Sequence, residues 1–294
     1  MRVVVTGGNG FLGAALCRHL ARRGDEVTAA DIDVEPGGSL FQHVRVDIAD
    51  LGAFARLVET TAPDAIVHLA SLLTDTSEAD PVAATRVNCL GSAVVLDCAG
   101  RMGIPRLVLA GSVAAGSDTA PGSIYGLTKQ YAERLATLWA DLNPQLHVTI
   151  ARLGWVYGIG RTRGWGPLQQ VILDAATGRQ NVRCPAYTSP IDWTYVDDAT
   201  DALTVCLDRA PGRGERIDVA GDLRPVGDAV AHLQMRYPKV RFDLYPSTPP
   251  PSHWVLDPSP LHRLNGGKPA TRLEDGLDRM IAVLQAAASN SERT

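Results

Sequence analysis

Tyr125 and Lys129 stand four residues apart, a spacing that places a phenol and an ammonium on one face of a helix. A cation held beside a phenol favours its ionised form, so such a pair can take a proton from an alcohol and hand it back. Lys129 is one of only three lysines in the chain, which makes its position informative. A second constellation lies at the start. Gly7, Gly10 and Gly13 follow the β-branched run Val3 to Thr6 and precede the helix-compatible run Ala14 to Leu20, so a strand, a tight turn and a helix succeed one another. Gly7 permits the sharp turn, Gly10 lets the backbone approach a phosphate, and Gly13 lets the helix lie close to the strand. Phe11 and Leu12 open that helix, whose amide N–H groups and positive dipole end face an anion. A dinucleotide pyrophosphate suits this arrangement.

These groups need a scaffold, and the chain supplies alternating strands and helices. Residues 26–31 form a second predicted strand ending at Asp31, 18 residues after Gly13, where a carboxylate accepts hydrogen bonds from ribose hydroxyls and repels the extra phosphate of NADP. NAD is therefore the expected cofactor, with Asp33 a rival to Asp31. A third strand at 43–48 brings Asp47 and Ile48 to the adenine position. A helix at 50–61 follows, then a buried strand at 65–70 ending in Leu69 and Ala70. A helix at 82–100, entered after Pro81, carries Asn88. A strand at 106–110 ends at Gly111 and Ser112, and a helix from 123 to about 142 carries Tyr125 and Lys129. Apolar strands alternating with amphipathic helices predict an α/β fold, a Rossmann-type doubly wound parallel sheet.

Beyond Gly158 the regularity thins. A helix is expected at 168–178, a strand at 191–196, a proline-rich connector at 246–251, a terminal helix at 273–288 and a frayed tail at 289–294. The expected organisation is an NAD-binding Rossmann domain over 1–160, to which a strand near 191–198 returns. Residues 161–294 would be mostly a small, interleaved C-terminal substrate-binding lobe.

Composition narrows the class. With 294 residues, 45% of them hydrophobic, the chain can bury a sizeable core. A net charge of −4 and no sustained basic block argue against nucleic acid or an anionic membrane as partner. Met1 and Arg2 lead straight into the first strand and no apolar run approaches a membrane span, so a cytoplasmic protein is expected. The five cysteines are scattered, odd in number and never spaced Cys-x-x-Cys, and are expected in the core. The histidines show no ligand spacing, and no metal is expected.

The order and spacing of Gly7/Gly10/Gly13, Asp31, Asp47-Ile48, His68 to Ser71, Asn88 with Gly91, Ser112, Tyr125/Lys129, Arg152 to Gly158 and Trp193 to Asp198 resemble those of the extended short-chain dehydrogenase/reductases, in the branch holding sugar-nucleotide 4-epimerases and dehydratases. The resemblance covers almost the whole chain. It implies that Tyr125 takes a proton from a substrate hydroxyl as hydride leaves the adjacent carbon for the nicotinamide. Lys129 would hold the nicotinamide ribose and assist Tyr125, and Ser112 would donate a hydrogen bond to the reacting oxygen. It further implies that Asn88 braces the active-site helix. Leu69, Ala70 and the loop from Ser71 through Leu73 and Thr74 to Thr76 would lie over the nicotinamide and line the substrate pocket. Pairing of the helices at 82–100 and 125–142 in a homodimer is a further expectation.

Two departures bear on substrate. Trp155 stands where nucleotide-sugar members usually carry Asn, and Ile191 where they tend to carry Arg, which removes polar anchors for a diphosphate. Arg161 and Arg163 are substitute anchors to consider. A small substrate, as in L-threonine or sugar-acid dehydrogenases, thus stands beside a sugar or sugar nucleotide, and the residues do not separate an epimerase from a net dehydrogenase. For a dehydratase the family would place an Asp-Glu pair beside the active Ser, and Val113 and Ala114 are not acids. The reading from another class is a dinucleotide sensor without catalysis, which retention of Ser112, Tyr125 and Lys129 disfavours.

Overall fold

The computed structural model describes residues 1–33, 40–116, 122–160, 171–172, 174–176, 179–187, 190–210, 213–247 and 256–291. In chain order the strands are β1 (Arg2–Thr6), β2 (Glu26–Asp31), β3 (Gln42–Arg45), β4 (Ala65–His68), β5 (Arg106–Ser112), β6 (His147–Leu153), β7 (Trp155–Tyr157), β8 (Asn181–Tyr187), β9 (Ile191–Tyr195), β10 (Glu215–Val219), β11 (Asp222–Arg224) and β12 (Arg241–Ser247). Two compact units result: Met1–Leu153 with Ala199–Val219 and Leu256–Lys268, and Gly154–Asp198 with Ala220–Val255 and Pro269–Thr294.

In the first unit a seven-stranded sheet has the order β10-β6-β5-β4-β1-β2-β3, and every pairing is parallel. Val3, Val4, Val5, Ile66, Val67, Leu107 and Leu109 are all buried, as strands covered on both faces require. The order reverses between β1 and β4, and in such sheets the crevice at the carboxyl ends of the strands at this switch point takes the ligand.

The helices have readable causes. α1 (Phe11–Arg23) ends at Gly24, whose φ of +96° supplies a left-handed stop. α2 (Leu51–Thr61) begins under Asp50, whose side chain accepts the Ala53 N–H at 2.9 Å. α3 (Thr74–Ala79) is a short polar helix where the sequence predicts a loop; its residues show no apolar stripe. From Pro81 to Arg101 the chain runs as α4 (Pro81–Ala84), a π-helical turn (Thr85–Leu90) and α5 (Gly91–Arg101). This stretch is long and apolar enough to cross a membrane by composition, which the sequence reading did not anticipate. Its Val95, Leu96, Cys98 and Ala99 are instead buried in the core beside the sheet. α6 (Ile124–Leu142) is capped by Ser123, whose hydroxyl accepts the Gly126 N–H at 2.9 Å. Its Ala132, Ala136 and Ala140, small and four apart, are buried in the same core.

The second unit holds a three-stranded sheet, β11-β9-β7, and a parallel pair, β12-β8. Trp193 is buried there, its indole N–H donating to the Arg224 carbonyl at 3.0 Å and its ring meeting Tyr157 edge-on. The strand at 191–195 therefore pairs with β7 and β11, and does not return to the large sheet as expected. β10 is the strand that joins that sheet, placing Ile217 and Val219 in its core beside β6. A Gly221 N–H to Asp192 bond of 2.9 Å helps turn the chain from β10 into the partner of β9. Of the helix expected at 168–178, residues 171–172 and 174–176 are helical. Pro246 lies inside β12, and the terminal helix runs Leu273–Ser291, three residues further than expected.

Candidate active site

The carboxyl end of β1 passes into Gly7 at φ +67°, and a Cβ there would lie 2.8 Å from the Ala70 backbone. A Cβ on Gly13 would press into the Gly7 carbonyl, so α1 sits as close to the turn as a backbone allows. Gly10, the N-cap of α1, carries no side chain to occupy the amides of the first turn, where Phe11, Leu12 and Gly13 lie. At the end of β2 the Asp31 carboxylate accepts the Asn9 backbone N–H at 3.0 Å, and the Asn9 side-chain Oδ1 meets His43 Nδ1 at 2.8 Å. Asn9 thus ties the glycine turn to β2 and β3, a role the sequence reading missed. Asp47 accepts Arg86 at 2.6 Å and the Ala49 N–H at 2.9 Å. Burial pushes its carboxyl up, but these bonds outweigh that and hold it below the ordinary carboxylate value. Ile48 is buried against Gly91, where a Cβ would stand 2.6 Å from its terminal methyl.

Between β1 and β4 lies a buried polar chain. His68 meets the Thr6 hydroxyl through Nδ1 at 2.7 Å and the Ser92 hydroxyl through Nε2 at 3.0 Å. Burial, with Lys129 nearby, pushes its pKa down to about 3, so the ring is neutral. Ser92 donates its single proton to the Asn88 carbonyl at 2.6 Å, which leaves its oxygen to accept from His68 Nε2–H. His68 Nδ1 must then accept from Thr6, whose oxygen accepts the N–H groups of Leu69 at 3.2 Å and Ala70 at 3.3 Å. Ser71 follows, its hydroxyl donating to the Leu72 carbonyl at 3.1 Å.

The π-turn directs Asn88 inward. Its side chain accepts the Leu72 N–H at 2.7 Å and donates to the Leu72 carbonyl and the Thr128 hydroxyl, each at 3.0 Å. Thr128 in turn donates to the Tyr125 carbonyl at 2.8 Å. Leu73, the N-cap of α3, is half-buried, whereas Thr74 is exposed; Glu78 of the same helix accepts the Tyr125 N–H at 3.3 Å.

Tyr125 is half-buried in the first turn of α6 and Lys129 is buried one turn on, its Nζ 5.8 Å from the Tyr125 ring centre. That ammonium donates to the Ala110 carbonyl at 3.0 Å. A Cβ on Gly126 would press on the Ala114 carbonyl, so the turn carrying Tyr125 packs on the 3₁₀ turn (Val113–Ala115) that follows Ser112. Ser112 is buried; its hydroxyl accepts the Ala114 N–H at 3.1 Å and its own N–H reaches Glu133 at 3.2 Å. Ser112 and the pair Tyr125/Lys129 thus lie on elements packed against each other, β5 with its 3₁₀ turn and the start of α6. Trp155 lies in the second unit, its ring 6.4 Å from that of Tyr187, and Arg161 and Arg163 lie outside the described residues.

Residues 3–220 match the NAD dependent epimerase/dehydratase family. The chain belongs to this family. Three similar proteins carry three different reactions in their names. A dTDP-glucose 4,6-dehydratase of Streptomyces niveus is 26% identical over 94% of this chain and 90% of its own. The D-erythronate dehydrogenase of Cupriavidus necator is 34% identical over 46% of this chain and 49% of its own. The Thermus thermophilus UDP-glucose 4-epimerase complexed with NAD superposes with a TM-score of 0.83 at 24% identity, over 98% of this chain and all of that one, a likeness of fold. As a family member the protein is an enzyme that uses NAD, and the glycine turn, where a Cβ at 7 or 13 would collide with backbone, fits a dinucleotide.

Proposed function

We propose that the protein oxidises a secondary hydroxyl of a sugar, sugar nucleotide or small hydroxy acid. Tyr125 takes the hydroxyl proton, Lys129 holds positive charge beside it, and Ser112 donates a hydrogen bond to the oxygen as it becomes a carbonyl. Bound NAD supplies the hydride acceptor. Gly7, Gly10, Phe11, Leu12 and Gly13 hold its pyrophosphate, Asp31 its adenosine ribose, and Asp47, Ile48, Leu69, Ala70 and Ser71 line the remainder, with Leu73, Thr74 and Trp155 toward the substrate. The observation that carries this reading is the packing of Gly126 on Ala114, which sets the turn carrying Tyr125 against the turn that follows Ser112.

Water elimination needs an acid near the reacting carbon, and the 3₁₀ turn after Ser112 offers only Val113, Ala114 and Ala115. This favours an epimerase or a net dehydrogenase over a dehydratase. Trp155 and Ile191, apolar at the positions of usual polar anchors, favour the small-substrate dehydrogenase as the second reading. The D-erythronate dehydrogenase similarity points the same way. The test mixes protein and excess NAD with sugar nucleotides, sugar acids and hydroxy amino acids. Lasting NADH with one small substrate identifies the dehydrogenase, and an inverted stereocentre without NADH the epimerase. An NAD-binding protein that acts on no member of the panel contradicts both.

The active form is a homodimer joined through two helices of each copy. Leu127, Tyr131, Leu138 and Leu142, at helical spacing on α6, are exposed, as are Val82 and Leu90. A monomer by sedimentation at micromolar concentration contradicts this. All five cysteines are free thiols, which fits the reducing cytoplasm as its location.

A further inference from the structure

β4 ends at His68, opposite Leu109, so beyond that point β5 has a strand partner on one edge only. Backbone groups two residues apart in a strand point to the same edge. Here the Ala110 carbonyl and the Ser112 N–H take their partners from one face of α6. Lys129 donates to Ala110 at 3.0 Å, and Glu133, one turn further, accepts from Ser112 at 3.2 Å. Glu133 is buried, and Arg152 of β6 faces it with two donors, Nε at 3.2 Å and a second guanidinium nitrogen on the other carboxylate oxygen. The same arginine donates to the Gly116 carbonyl at 3.3 Å, which closes the turn that follows Ser112. The carboxylate fits because residue 111 is glycine: a Cβ there would collide with Glu133 Oε1.

From this geometry we infer that Glu133 is a positioning residue, which with Arg152 and Gly111 clasps the end of β5 and sets the Ser112 hydroxyl in register with Tyr125. The inference rests on the proposed role of Ser112. Tyr125, Lys129 and Glu133 occupy successive turns of one helix, so α6 carries the proton acceptor and also grips the strand that presents the hydrogen-bond donor. The carboxylate fixes Ser112 through its amide, which leaves the hydroxyl proton for a substrate oxygen. An ion pair buried without this task gives little net stability, since desolvation offsets its attraction.

The test is a cycle between Ser112→Ala and the apolar replacement Glu133→Leu/Arg152→Met, which removes both charges together and strands neither. Assays use the whole protein with NAD and whichever substrate the panel identifies. Ser112→Ala is expected to lower kcat about 100-fold. The apolar replacement should lower kcat about tenfold or more with KM for NAD unchanged within about twofold, yet cost less than about twofold in the Ser112→Ala background. Equal factors in both backgrounds overturn the positioning role. Should the replacement fail to fold, Glu133→Ala, which also removes the acceptor for the Ser112 N–H, carries the same cycle. Hydrogen exchange of the Ser112 amide needs no substrate: it should speed at least about tenfold in whichever of the two is folded, and unchanged exchange refutes the clasp. Full activity in Ser112→Ala removes the role of Ser112 itself, and the positioning role with it, whatever the exchange shows.

Discussion

Asn88 donates to the Thr128 hydroxyl at 3.0 Å, and through this bond the π-helical turn is tied to the helix that carries Tyr125 and Lys129. The same side chain holds both backbone groups of Leu72. One buried amide therefore fixes the loop after β4 and the first turn of α6 together.

Asn88→Ala leaves the Leu72 N–H without its partner, while the Leu72 carbonyl keeps the Ser71 and Ser77 hydroxyls, and a buried unpaired group costs about 1–3 kcal/mol. The expected result is a loss of about 1–3 kcal/mol in denaturant unfolding, with kcat reduced more than KM for NAD. An unchanged unfolding midpoint contradicts the bracing role.

His68 makes stability depend on pH with a definite sign. Its folded pKa, about 3, lies below the ordinary 6.5, so between those values the unfolded chain binds the extra proton. The stability due to neutral His68 is complete above about 6.5 and is lost as pH falls toward 3, at up to about 1.4 kcal/mol per pH unit. His68→Gln should flatten the fall between pH 6.5 and 4.5, and nitrogen NMR of the wild type should find the proton on Nε2. A proton on Nδ1 at neutral pH overturns the order derived from Ser92.

Gly13→Ala drives a methyl into the Gly7 carbonyl, and neither backbone has room to yield. NAD affinity should fall at least about tenfold, about 1.4 kcal/mol or more, by fluorescence titration. Retained affinity means that the pyrophosphate is held elsewhere.

Asp31→Asn removes the charge that disfavours a 2′-phosphate while leaving an oxygen for the Asn9 N–H. The ratio of NAD to NADP affinity should fall by at least about tenfold. An unaltered ratio assigns cofactor choice to another group, Asp33 first.

Much of the nucleotide half was legible because its chemistry is local. A strand, three spaced glycines and a helix are contiguous, and Tyr125 and Lys129 are one helical turn apart. Glu133 lay within reach of the same argument, at the next turn after Lys129, but nothing in α6 reveals that Ser112 and Arg152 await it. Thr6, Ser92 and Thr128 read as ordinary strand or helix residues until the fold brings His68 and Asn88 to them. β9 is the strand expected to return to the large sheet, whereas β10, with the same local alternation of apolar residues at Ile217 and Val219, takes that place. Which sheet each enters depends on partners far along the chain, Asp222–Arg224 for one and His147–Leu153 for the other. The polar α3 lacked any apolar period and read as loop.

The central claim is that Tyr125 takes the proton as hydride leaves the substrate. Its most direct test is the rate of NADH absorbance after rapid mixing of NAD-loaded protein with substrate, in the wild type and in Tyr125→Phe. The account predicts a single-turnover rise in the wild type, transient for an epimerase and lasting for a dehydrogenase, and about a hundredfold or greater slowing in Tyr125→Phe with NAD affinity retained. A wild-type rate in Tyr125→Phe would show that another group accepts the proton and that the junction of β5 and α6 is not where this enzyme does its chemistry.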